Sequence, residues 1–81
     1  MMQNKNYISL SSLKKGEKGV IIAFDDDKVA LKLLEMGCLP QTQFSLSAIA
    51  PFGCPICIEI ENTQISMRLS EANHILVEKI I

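Results

Sequence analysis

The chain has 81 residues, enough for one domain and too few for two. Eight basic and nine acidic residues leave a formal net charge of −1, so there is no cationic excess to engage a phosphate backbone, and DNA or RNA is not an expected partner. Hydrophobic residues make up 48% of the chain but aromatics only 5%, so a core must come from aliphatic side chains, and no apolar run reaches the length of a membrane-spanning helix.

Residues 1–7 read as a flexible polar tail without the apolar segment of a signal peptide. Three cysteines, an odd number, argue against a secreted disulfide framework, and a cytoplasmic location follows. A single domain is then expected over residues 8–81. Ile8, Leu10 and Leu13 are its first apolar anchors, in an irregular lead-in. Gly16 and Gly19 bracket a turn where positive φ is expected. The β-branched run from Gly19 to Phe24 is the first strand.

Asp25, Asp26 and Asp27 then offer an N-cap and an acidic first turn, and Val29, Leu33 and Met36 recur at helical spacing with Ala30 and Leu34 beside them. Gly37 suits the left-handed residue that ends a helix, and Pro40 prevents its resumption. The helix is therefore expected over Asp26 to Met36. Thr42 to Ala50 reads as a strand with Phe44, Leu46, Ala48 and Ala50 on one face. A turn at Pro51–Pro55 leads to the alternation of Ile56, Ile58 and Ile60 with Cys57, Glu59 and Glu61. Asn62–Thr63 is expected to turn the chain into a strand over Gln64–Arg68, with Ile65 and Met67 inward. Ser70 is expected to cap one helical turn before a last strand, Ile75–Ile80. The fold class is mainly β: a small, partly open SH3-like barrel of about five strands, with one helix between the first two strands and a helical turn before the last.

These fragments, in this order and spacing, resemble the ferrous iron transport protein A (FeoA) family. The resemblance rests on Leu10, Leu13, Gly16 and Gly19; on Leu33-Leu-Glu-Met-Gly37 followed by Cys38, Leu39 and Pro40; on Pro51-Phe-Gly-Cys-Pro55-Ile56; and on Met67-Arg-Leu-Ser-Glu-Ala72 with Ile75-Leu-Val77. It covers about Leu10 to Val77. The chain departs from the family pattern at Gln41 and Asn62, where glycine is usual, and at Cys54, where aspartate is frequent; Gln41 is strained if its φ is positive. The resemblance implies an SH3-like barrel and a cytoplasmic accessory role in ferrous iron transport, without catalysis. The implied partner is a membrane iron permease that carries a GTP-binding domain.

On that reading the candidate partner-binding residues are Met36, Cys38, Leu39, Pro40 and Phe52, apolar groups in predicted loops. Leu39 and Phe52 are equally compatible with lids folded over the barrel ends. Arg68 stands at the family's arginine position, where an ordinary salt bridge is the simpler role. The alternative function is a metal-binding sensor or carrier. Its ligands would be Cys54 and Cys57, a C-x-x-C pair, with Cys38 or His74 as a third. A structural metal site usually shows two paired motifs and this chain has one, so no metal or other cofactor is expected beyond weak transition-metal binding. Asp25–Asp27 lacks the glycine and downstream glutamate of a calcium loop. His74 suits the C-terminal end of the short helical turn. No nucleophile elbow or Gly-rich phosphate loop is present, and enzyme activity is not expected. Unpaired barrel edges leave self-association open.

Overall fold

The computed structural model describes residues 7–80. The expectation for the tail therefore lies, apart from Tyr7, outside the described residues. The elements run β1 (Ile8–Ser9), a 3-10 turn (Leu10–Ser12), β2 (Lys18–Phe24), α1 (Asp27–Glu35), β3 (Gln43–Ile49), β4 (Ile56–Ile60), β5 (Thr63–Met67), α2 (Leu69–Ala72) and β6 (Ile75–Ile80). The strands form one antiparallel sheet in the order β1-β6-β2-β3-β4-β5. The expected five strands gain a sixth, because the lead-in pairs Ile8 with Val77 and Ser9 with Leu76. Leu10, Ile21, Leu33, Leu46, Ile58, Ile75 and Val77 are fully buried at the centre of the curled sheet, and among the described residues no polar side chain is buried with them.

The caps explain why α1 sits where it does. The Asp26 side chain accepts hydrogen bonds from the backbone N–H of Lys28 at 2.9 Å and of Val29 at 3.0 Å, satisfying two otherwise orphaned donors. At the other end Gly37 takes φ +92, and its N–H donates to the Leu34 carbonyl while the Cys38 N–H donates to that of Leu33. This double bond pattern normally brings together the apolar residues two past the cap and three before it. Here they are Cys38 and Leu33, both fully buried.

Several local expectations are corrected. Gly16 has φ +92, but Gly19 has no positive φ; it is required instead by close approach, since a Cβ there would lie 2.9 Å from the Glu78 carbonyl oxygen and 3.0 Å from the Phe44 ring. In β3 the alternation holds for Phe44 and Leu46, then a register shift between Leu46 and Ala48 breaks the phase and leaves Ala48 in solvent. The β4–β5 turn is Glu61–Asn62 rather than Asn62–Thr63. Both residues take positive φ, +48 and +71, the geometry whose twist matches a two-residue hairpin. Ser70 lies inside α2 and does not cap it. Arg68 is the N-cap residue, and the carboxylate of Glu71 reaches back to accept its backbone N–H at 2.9 Å. Gln41 has φ +69, so its expected strain is present.

Candidate docking surface

Burial divides the five candidate partner-binding residues. Cys38 is 0% exposed and belongs to the core, because the α1 terminus described above draws it under the helix. Burial also pushes its thiol up to about 11, which disfavours the thiolate needed for metal binding or nucleophilic attack. Met36, Leu39 and Pro40 are exposed, Met36 at 38% and Leu39 at 50%. Phe52 is 96% exposed. Neither Leu39 nor Phe52 closes a barrel end as a lid.

The exposed residues fall into two groups. Met36, Leu39 and Pro40 precede β3 and Phe52 follows it, so a seven-residue strand, up to about 23 Å long, separates them. Residues missed from sequence add further exposed apolar surface. On α1, Leu33 faces the core while Leu31 (62% exposed) and Leu34 carry the apolar arc around the outer flank. The signal was present, since one buried stripe does not require Leu31, on the side opposite Leu33. At the far end, Ile49 and Leu69 are partly exposed near the Phe52 turn. The Leu69 backbone N–H donates to Cys54 Sγ at 3.3 Å, tying that turn to the start of α2.

Ion pairs hold the scaffold beneath these groups. Glu71 uses one oxygen for the Arg68 N–H and the other for Lys32 of α1. Glu17 likewise accepts the Lys14 N–H at 2.7 Å and pairs with Lys79 of β6 at 2.6 Å. Lys79 chiefly holds the Glu17 carboxyl below its ordinary value, and Lys32 chiefly does so for Glu71. The Asp26 carboxyl is lowered mainly by the Val29 N–H it accepts.

The metal-ligand candidates do not converge. Among the described residues, no three His, Cys, Asp or Glu side chains are placed to hold a metal ion. Cys57 lies on the outer side of β4, as its alternation with the isoleucines requires, and its thiol donates to Gln64 Oε1 at 2.9 Å. His74 does not cap α2; its Nδ1 meets Asp25 Oδ1 at 2.6 Å, joining the end of α2 to the start of the α1 region.

A curled six-stranded antiparallel sheet with a helix between β2 and β3 and one helical turn before its last strand defines a small SH3-like barrel domain. The chain belongs to the FeoA family: the FeoA domain matches residues 8–79. It is similar to an FeoA-like protein from Clostridium acetobutylicum, with 31% identity over 95% of this chain and 91% of that one and a TM-score of 0.88. It is also similar to iron(II) transport protein A from Clostridium thermocellum, with 32% identity over 90% of this chain and 46% of that one and a TM-score of 0.82. A manganese-dependent transcriptional repressor shares the fold alone, with a TM-score of 0.86 at 14% identity over 99% of this chain and 40% of that one. No curated protein matches the chain.

Proposed function

We propose that this chain is a cytoplasmic accessory protein of ferrous iron transport that docks on the cytoplasmic part of a membrane iron permease carrying a GTP-binding domain. Family membership and the likeness to a protein named iron(II) transport protein A support the iron-transport setting. The observation that carries docking is Phe52. Burying a phenylalanine is worth about 1.5–3 kcal/mol, and folding leaves this one 96% exposed. Its backbone is not loose: the Gly53 N–H donates to the Ala50 carbonyl at 2.8 Å, and the Ala50 N–H to that of Pro55 at 3.1 Å. An aromatic anchor presented on an ordered turn contributes to binding without a large ordering cost. Met36, Leu39 and Pro40, all exposed, offer a second apolar contact. The role is regulation through binding, with no catalytic step and no resident cofactor.

The test has two readouts. Phe52→Asp and Leu39→Asp are measured for binding to the permease's cytoplasmic GTP-binding part and for ferrous iron uptake in cells. Both variants should fold as the parent does by circular dichroism, bind at least about tenfold more weakly, and lower uptake. A variant with Cys54→Ser and Cys57→Ser should behave as the parent. Folded Phe52→Asp and Leu39→Asp proteins with undiminished binding would remove the docking reading. Loss of uptake in the folded double-serine variant would transfer the role to the cysteines.

A further inference from the structure

The sheet has two edges, β1 and β5. Proteins blunt edges with short strands, charged residues, proline or bulges, because open N–H and C=O groups template pairing with another chain. β1 is blunted by its length of two residues. β5, Thr63-Gln-Ile-Ser-Met67, has five residues, no charge and no proline, and its register with β4 runs without a shift.

The hairpin dictates which backbone groups β5 presents. Its two-residue turn makes Ile60 and Thr63 the closing pair, and in a two-residue hairpin the closing pair exchanges both hydrogen bonds. Alternation then turns Thr63, Ile65 and Met67 toward β4 and leaves the N–H and C=O of Gln64 and Ser66 facing outward. Beyond the hairpin itself, no backbone hydrogen bond to β5 is present among the described residues.

We infer that β5 pairs edge to edge with β5 of a second copy, antiparallel across a two-fold axis, joining two barrels into one continuous sheet. Centring the axis on Ile65 sets Gln64 of each copy opposite Ser66 of the other, and the four outward N–H groups meet four outward carbonyls. The same register sets Asn62 opposite Arg68, with Glu61 one residue beyond. The Arg68 guanidinium of each copy therefore comes within reach of the other's Glu61 carboxylate. Within one chain neither residue has an ion pair among the described residues. A neutral strand flanked by opposite charges at its two ends is self-complementary only in this antiparallel sense, and this selects a second copy as the occupant. Ile65 and Met67 stay buried in their own barrel, so pairing requires no side chain to leave the core.

The full chain is tested by sedimentation equilibrium and by amide hydrogen exchange across roughly a hundredfold dilution. The Gln64 and Ser66 amides should exchange slowly in concentrated solution and lose that protection on dilution, while Ile65 and Met67 do not change. Arg68→Glu and Glu61→Arg should each weaken the dimer by about tenfold, and the double reversal should restore it to within a few-fold. A chain that is monomeric at every concentration would overturn the inference. So would a dimer in which Gln64 and Ser66 exchange as fast as in the monomer, or folded single reversals that leave dimerisation unchanged. The exchange measurement uses the unaltered chain, so it decides the matter even where a variant fails to fold.

Discussion

Replacing Gly19 by alanine tests how tightly the middle of the sheet is assembled. Gly19 lies in β2 between β3 and β6, opposite Phe44 on one side and Lys79 on the other. An added Cβ would stand 2.9 Å from the Glu78 carbonyl oxygen, 3.0 Å from Phe44 Cζ and 3.1 Å from Phe44 Cε1. The carbonyl is backbone of a paired strand and the ring is buried, so neither yields without moving its neighbours. Overpacking of this kind costs about 1–3 kcal/mol. Alanine restricts the unfolded chain and returns about 0.4–1 kcal/mol, so Gly19→Ala should be destabilising by about 1–2 kcal/mol. Urea denaturation should show a lower midpoint with an unchanged slope, and the melting temperature should fall by about 4–8 °C per kcal/mol in a domain of this size. Part of the loss comes from the ring, so Gly19→Ala should cost less in a Phe44→Leu background, with a coupling of about 0.5 kcal/mol or more. A Gly19→Ala protein within about 0.5 kcal/mol of the parent would refute the reasoning, because the sheet would then have room that the distances deny.

Three further outcomes follow from the same structure. Phe52→Asp should leave unfolding stability within about 0.5 kcal/mol of the parent while weakening partner binding, as judged by urea denaturation beside a binding titration; a cooperative loss of stability would mean that the ring packs on the barrel. Cys38 should react with an alkylating reagent only after unfolding, whereas exposed Cys54 should react in the native state; Cys38→Ser should cost about 1–3 kcal/mol by placing a hydroxyl in an apolar site. Glu17, Asp26 and Glu71 all have carboxyl groups lowered on folding from ordinary values of 4.5, 3.8 and 4.5. Their contribution is fully present above those values and is lost as pH falls below them and through the lower values these groups have in the folded chain, so stability should drop below about pH 5, and Glu71→Gln should make that drop shallower.

Much of this fold was legible in the chain because local chemistry and tertiary demand agree. Asp26 and Gly37 bound α1 through capping geometry that operates within a few residues, and Ile56, Ile58 and Ile60 declare their buried face by period alone. Some misreadings occur where a distant strand intervenes. Gly19 looks like a turn residue until β3 and β6 are placed beside it. The bulge at Ser47 is set by the register with β4, which leaves no trace in the alternation of β3 itself. Cys38 follows a helix and resembles a loop residue, yet the geometry that ends the helix carries it into the core. Of the candidate surface, the exposed apolar groups were readable, but their division onto opposite ends of β3 was not, because it depends on which way the chain leaves α1 and how far β3 runs.

The two bifurcated glutamates have a consequence for how the domain comes apart. Each spends one oxygen on a backbone group three residues away and the other on a lysine from a distant element, Lys32 for Glu71 and Lys79 for Glu17. A local cap and a long-range tie therefore share a single carboxylate. If α1 frays and withdraws Lys32, the start of α2 loses part of what orients Glu71; if β6 peels away with Lys79, the turn before β2 loosens with it. Damage in one part of the barrel is passed to another along these side chains, so the domain should unfold as a unit rather than shed its helices one at a time.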